Sequence, residues 1–238
     1  EATTVRTPTV QSWWTHYLTQ LGEGRVGDWQ NLVPADFDSR YGTPEQIFGE
    51  RGGIVHRLDK ETSGALLLAK NAGSLVHLLR QFRERQVTKE YLALVHGHLA
   101  PTQGELDLPL ARHRRERTRM QVHPEGRAAL TRYQVVDYYL LPAEWAPPAT
   151  DRHLTLVRCQ PVTGRMHQIR AHFAHLGYVL VADRQYGGRR RWRQDASWCP
   201  RHFLHASRLS FTQPRTGTSL TVEVPLSADL SPVLSGLK

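Results

Sequence analysis

Residues 88–99, TKEYLALVHGHL, alternate in character: Tyr91, Ala93 and Val95 point one way, Leu92 and Leu94 the other. That period of two predicts a strand with Tyr91 near its entrance. Just before it the period changes. In AGSLVHLLRQFRER, Leu75, Leu78, Leu79 and Phe82 recur at helical spacing behind Asn71, a good N-cap residue, which predicts a helix from residue 72. Between the Thr-Ser-Gly at 62–64 and that helix, GALLLAK (64–70) reads as a short buried strand. Further strands are expected at 129–140, 153–162, 203–214 and 219–225. In TGRMHQIRAHFAHLG, Met166, Ile169, Phe173 and Leu176 share one helical face, and Gly177 ends it.

Toward the N-terminus, Trp14, Tyr17, Leu18 and Leu21 fall at helical spacing, and residues 23–52 read as loops with one short element. Residues 111–119 and 187–194 are basic loops, and PAEWAPPAT (142–150) is a Pro-rich surface connection. Strands and helices intermix with hairpin-like pairs, so the expected fold class is α+β, one domain with a largely antiparallel sheet.

Composition narrows the function. Hydrophobic residues at 39% and charged residues at 22% are ordinary for a globular chain of 238 residues. The net charge of +9 is not, and only four of the 31 basic residues are lysines. Arginine binds phosphate through a planar fork and stacks on bases, so nucleic acid is the expected partner. The two cysteines, Cys159 and Cys199, cannot make a disulfide framework and are read as structural in an intracellular chain. No apolar run approaches the ~18 residues that cross a bilayer, so no membrane partner is expected. The chain starts at Glu1 and not at methionine, which fits a removed targeting segment.

One short stretch stands out for its chemistry. HRLDKETSG, residues 56–64, sets a histidine, an arginine, an aspartate and a lysine against an apolar run. Alone, such a cluster is an ordinary surface ion pair. Together with KEYLALVHG, GRMHQIRAHFAHLG and LHASRLSF, in that order, it resembles the RluA-type pseudouridine synthases over about Gly53 to Val224.

The resemblance implies a pseudouridine synthase fold: a mixed, mostly antiparallel central sheet flanked by helices, with an active-site cleft across it. It implies a catalytic domain at 53–238, with residues 1–52 as a divergent segment packed on it. Asp59 matches the catalytic aspartate, and Arg57 the arginine that replaces the extruded base, with His56 supporting that loop. Tyr91 matches the tyrosine that stacks on the uracil and is a candidate for removing the C5 proton. Arg170 matches the basic partner of the aspartate, Leu204 an apolar cover of the base pocket, and Arg165 and His167 the substrate-binding GR–HQIR motif. Arg112, Arg114, Arg115, Arg189, Arg190 and Arg191 are candidates for the RNA backbone.

The reaction so implied breaks the C1′–N1 bond of uridine, rotates the base and rejoins it through C5, with no metal or redox cofactor. It needs an anion beside the ribose in a pocket that excludes water, which a cation such as Arg170 would favour. The base must also be flipped out of its stack. The expected substrate is large-subunit ribosomal RNA, with tRNA as the other possibility. The alternative is an assembly factor of the same fold that binds RNA, with pre-ribosomal particle proteins among its partners. A nucleoside hydrolase would need a second placed carboxylate, and Glu61 has only a capping-type context.

Three departures from the family pattern are visible. The Lys-Pro-x-Gly-Leu stretch before the catalytic aspartate has no counterpart, since residues 1–52 hold no lysine. Ala182-Asp183 also replaces the usual Gly-Asp, and Val179 stands where proline is common. The altered opening and the arginine richness lean toward a mitochondrial matrix over a bacterial cytoplasm.

Overall fold

Alternation along residues 88–96 divides the molecule's main core in two. In the computed structural model, which describes residues 9–21, 29–146 and 151–237, this segment is strand β2. In chain order the strands are β1 (Ser63–Gly64), β2 (Thr88–His96), β3 (Gln103–Asp107), β4 (Leu110–Arg112), β5 (Met120–Val122), β6 (Leu130–Leu140), β7 (His153–Pro161), β8 (Leu204–Thr212) and β9 (Ser219–Glu223). Ala93 and Val95 enter one apolar cluster with Val157, Phe173, Leu180 and Leu204, and Tyr91 packs at its margin. Leu94 enters the other, with Leu154, Leu156, Val181 and Phe203. Burying a leucine or phenylalanine side chain contributes about 1.5–3 kcal/mol, so these two faces carry much of the fold's stability.

β2 lies between two antiparallel neighbours, β7 (Tyr91 opposite Cys159) and β8 (Tyr91 opposite Ala206, Ala93 opposite Leu204). The sheet runs β1-β8-β2-β7-β6-β3, with β9 also paired to β8 and β1 joining in parallel. It is therefore mixed and mostly antiparallel, as expected. β4 and β5 form a separate hairpin. Helix α4 (Gln168–His175) lays Ile169 and Phe173 on the first cluster, while Leu176 just beyond it stays exposed.

Contacts divide the chain into two units. One holds the residues up to Arg57 with Leu66–Val87 and Phe211–Leu220; the other holds Leu58–Ala65, Thr88–Ser210 and the residues from Thr221 on. In the first unit, helices α1 (Val10–Leu21), α2 (Pro44–Arg51) and α3 (Ala72–Arg83) accompany a core of Val55, Ala69, Leu75 and Leu78, with Ile47, Phe48 and Phe82 against it. Asn71 caps α3 as its sequence predicts, its side chain accepting the Ser74 N–H at 2.8 Å.

Three expectations need correction. The run 64–70 is not a strand: pairing stops at Gly64, and beyond it only Leu68 makes a single bridge, to Ile54. Leu67 and Ala69 pack instead into the first unit's core, a burial that periodicity cannot tell from a strand. Residues 187–194 are not a loop but most of helix α5 (Gly188–Asp195). Arginine and glutamine are good helix formers, and the buried Asp195 anchors the end by pairing with His96 at 2.8 Å. Within 29–52 the chain is also more regular than expected, with two 3₁₀ turns and α2, whose Thr43–Gln46 capping box and Pro44 were legible signals. Of the expected connection 142–150, Ala143–Trp145 form a 3₁₀ turn and residues 147–150 lie outside the described residues.

Candidate active site

Gly64 explains why the Thr-Ser-Gly follows the charged stretch. Its φ is +109°, and a Cβ there would lie 2.1 Å from the carbonyl oxygen of Ala206. Only glycine lets the chain turn so closely against β8. Upstream the Thr62 N–H donates to the Asp59 carbonyl at 2.9 Å, closing a turn with Asp59 at its first position.

That turn delivers Asp59 to the first turn of α4. Arg170 donates from Nη1 to Asp59 Oδ2 at 3.0 Å. Its other edge forks onto Asp183, Nε to Oδ2 at 2.7 Å and Nη2 to Oδ1 at 2.9 Å, and Nη2 also reaches Gln185 Oε1 at 2.8 Å. The side chains of Arg170, Asp59 and Asp183 are 5%, 18% and 0% exposed. Burial opposes the Arg170 charge, but the two carboxylates outweigh it and hold the guanidinium's pKa above its ordinary value. Burial likewise pushes Asp183 up, and the Arg170 hydrogen bonds and charge overcome it, so its carboxyl lies below the usual range.

The two carboxylates differ in one respect that matters for chemistry. Asp183 Oδ1 also accepts the N–H groups of Gln185 and Tyr186, at 3.0 and 3.1 Å, and Asp183 is saturated. Asp59 Oδ1 has no hydrogen-bond partner among the described residues, and its Oδ2 lies 3.9 Å from His167 Nε2. One carboxylate is structural; the other has an oxygen available. The charge of Asp59 also reaches Tyr91: burial first, then that charge, push the phenol up to about 12. Leu204, almost fully buried, belongs to the same apolar cluster against which Tyr91 packs.

Of the eight residues expected to act on or bind the base and sugar, six lie in the second unit, and four of them, Asp59, Tyr91, Arg170 and His167, share one electrostatic neighbourhood. Leu204 supplies apolar wall. Arg165 does not join the others: its Nε donates to the Ala128 carbonyl at 3.1 Å and its backbone N–H to Gln168 Oε1 at 3.0 Å. His56 belongs to the first unit, where its ring stacks on Phe82 at 4.9 Å and Nε2 accepts the Leu67 N–H at 3.0 Å. Arg57 is exposed. On the β4–β5 hairpin, Arg112 caps the Arg117 carbonyl at 2.8 Å while Arg114 and Arg115 are exposed, as are Arg189, Arg190 and Arg191 on α5.

Sequence reasoning missed several neighbours. Asp183 was visible only as half of a departure from the family pattern, yet it is the main partner of Arg170. Tyr186 joins the hairpin to the site: its hydroxyl accepts the Met120 N–H at 2.9 Å and lies 3.3 Å from His167 Nδ1. The Arg119 guanidinium lies over its ring at 4.8 Å and that of Arg170 at 5.2 Å. Elsewhere on β2, Lys89 donates to the Thr163 carbonyl at 3.3 Å, and burial lowers its ammonium to about 8.

Residues 42–175 match the RNA pseudouridylate synthase family. The chain is 37% identical over 206 residues to ribosomal large subunit pseudouridine synthase D of Haemophilus influenzae, covering 83% of this chain and 60% of that protein. Against the protein of the same name from Escherichia coli it is 36% identical over 188 residues, covering 76% of this chain and 54% of that one. The chain therefore spans somewhat more than half the length of these relatives. Among solved structures, human RNA pseudouridylate synthase domain containing 1 superimposes with a TM-score of 0.62 at 30% identity, covering 86% of this chain and 82% of that one. With more than half its residues inside the family match and the expected aspartate, tyrosine and arginine gathered in one place, this chain belongs to the RNA pseudouridylate synthase family.

Proposed function

We propose that this chain converts uridine to pseudouridine in large-subunit ribosomal RNA, the substrate named for its bacterial relatives. The observation that carries the reading is the unequal pair of carboxylates on Arg170: a saturated Asp183 fixes the guanidinium, which holds Asp59 with one oxygen left for the substrate.

Asp59 acts at the ribose, as nucleophile at C1′ or as base at C2′, while the C1′–N1 bond breaks and its electrons leave with the uracil. The base turns and C5 bonds to C1′ as the Asp59–C1′ bond breaks, or as Asp59 returns the proton to C2′; the C5 proton then departs and N1 gains one. No atom is lost, and no electron acceptor is required. A phenol at about 12 is neutral at neutral pH, so Tyr91 serves first as a stacking surface. The Asp59 charge is one of the two causes of that elevation. Flipping the base costs a few kcal/mol. Stacking on Tyr91, and Arg57 in the vacated position, would offset this, with the exposed arginines of the hairpin and α5 on the phosphates.

The test is direct. Unmodified large-subunit ribosomal RNA from the protein's own cells is incubated with wild-type protein and with Asp59→Asn, and pseudouridine is mapped by carbodiimide-dependent primer stops. Stops at defined uridines with wild type alone are expected. Their absence with wild type, or their persistence with the variant, would refute the reading. The exposed Arg114, Arg115 and Arg189 to Arg191 also favour a role in ribosome assembly. Growth restored to a deletion strain by Asp59→Ala would make that role the principal one.

A further inference from the structure

Leu58–Ala65 belongs to the second unit although the residues on both sides of it belong to the first. So short a stretch cannot be held by its own backbone. The Thr62–Asp59 bond and the β1–β8 pairing of Ser63 with His205 and Gly64 with Ala206 are almost all the main chain supplies. Apart from Arg170 on Asp59 and the Ser227 hydroxyl 3.1 Å from that of Ser63, the remaining side-chain hydrogen bonds come from one segment, residues 201–205. Arg201 Nη1 donates to the Glu61 carbonyl at 2.6 Å, His202 Nε2 shares a 2.9 Å hydrogen bond with the Thr62 hydroxyl, and His205 Nδ1 shares one of 2.9 Å with the Ser63 hydroxyl. Three consecutive residues, Glu61, Thr62 and Ser63, are thus each held by side chains of this one segment.

Arg201 differs from the two histidines in what stands behind it. From Nη2 it donates to the hydroxyls of Ser63 and Ser227, at 2.8 and 2.9 Å. Asp229 grips the same fork, Oδ2 accepting from Nε at 2.7 Å and Oδ1 from Nη2 at 3.0 Å. The Arg201 hydrogen bonds hold the Asp229 carboxyl down at about 2, so this pair is charged throughout the neutral range. Arg201 is thus a rigid bracket from the segment at 227–229 to the turn that carries Asp59.

We propose that Arg201, braced by Asp229, is a positioning residue for Asp59: it sets the turn so that one carboxylate oxygen meets Arg170 and the other faces the ribose. The inference rests on the catalytic reading of Asp59 given above. Neither Arg201 nor Asp229 touches Asp59 itself, and the effect passes through the backbone of residues 59–63. A displacement of about 1 Å in a catalytic group can lower a rate by about a hundredfold.

The test uses Arg201→Lys, which keeps the charge but not the fork, and Asp229→Asn at a partly exposed position where folding is not at risk. Single-turnover pseudouridine formation at saturating RNA, RNA affinity by filter binding and amide exchange of the 58–65 peptide are measured on each. The expected result is a rate about 10- to 100-fold lower for Arg201→Lys and about 3- to 10-fold lower for Asp229→Asn. RNA affinity should stay within about twofold, and the 58–65 amides should exchange faster while those of 183–186 do not change. Variant rates within twofold of an active wild type, or unchanged exchange at 58–65, would overturn the positioning role alone. A wild-type protein that forms no pseudouridine would overturn the catalytic reading, and the positioning role with it.

Discussion

Replacing Arg170 by methionine isolates the coupling between the buried guanidinium and its carboxylates. Methionine fills much of the same volume and donates nothing. Asp183 would keep only the N–H groups of Gln185 and Tyr186, and its fully buried charge would lose its counter-ion. Removing one partner of a buried ion pair costs about 3–5 kcal/mol. The two charge-assisted bonds lost at Asp183, at about 1.5–3 kcal/mol each, give a figure of the same size. Urea unfolding at pH 7 should therefore show Arg170→Met less stable by about 4 kcal/mol, with the slope against denaturant unchanged. Adding Asp183→Asn removes the stranded charge and keeps an acceptor for both N–H groups. The double variant should recover at least about 1 kcal/mol relative to the sum of the two single changes. The pH dependence should also invert. In the wild type Asp183 lies below its ordinary range, so its contribution is present above the unfolded value near 3.9 and lost as pH falls. Without Arg170, burial, the largest influence, is opposed only by the charge of His202 and the Tyr186 N–H, so the group should rise and the penalty should shrink as pH falls from 7 toward 4. A loss under about 1 kcal/mol at pH 7, or strict additivity in the cycle, would refute this account of the site.

Three other changes probe the framework. Ala182 has φ +57°, a left-handed conformation that costs a non-glycine residue about 1–2 kcal/mol. About 0.5–1 kcal/mol of extra glycine chain entropy and about 0.8 kcal/mol for the lost buried methyl offset most of this, so Ala182→Gly should change stability by less than about 1 kcal/mol, and a loss above about 2 kcal/mol would contradict the strain at this position. Gly64→Ala would drive a Cβ into the Ala206 carbonyl, so a loss of at least about 2 kcal/mol is expected in urea; a wild-type midpoint would show that β1 can shift at little cost. Burial, then the charge of Arg170, lower His202 to about 4, while its unfolded value is near 6.5. The unfolded chain binds the extra proton between those values, so this group's contribution should grow by about 3 kcal/mol from pH 4 to 6.5. His202→Gln should flatten that part of the stability curve, and an unchanged slope would assign it elsewhere.

What could be read from the sequence follows from where the determining physics is local. β2 and α3 were legible because alternation and a capped amphipathic stripe each report directly on burial. The aspartate, tyrosine and arginine of the site were legible only as motifs, and the pairing of Asp59 with Arg170 was implied by the family resemblance, with which the need to keep an anion in a dry pocket agrees. The run 65–69 failed for an identifiable reason: its apolar residues fit a core, and only the tertiary arrangement decides which core. The helix at 188–195 failed because four arginines look like solvated charge until the buried Asp195 fastens one end. Asp183 and Arg201 could not be found locally at all. Each works through partners remote in sequence, 13 residues away for Asp183 with Arg170 and 140 for Arg201 with Glu61.

The shared guanidinium of Arg170 has a consequence for the proposed encounter with RNA. Arg170 with Asp59 and Asp183 sums to one surplus negative charge, and Asp183 is saturated, so the surplus resides at the open oxygen of Asp59. The chain as a whole carries +9. Its polarity is therefore reversed at the site, basic outside and anionic within. The outer field draws in any polyanion, whereas the inner one disfavours a phosphate and favours a sugar carbon that turns cationic as its bond to nitrogen stretches. In the proposed reaction that opposition selects which part of the nucleotide can settle against Asp59.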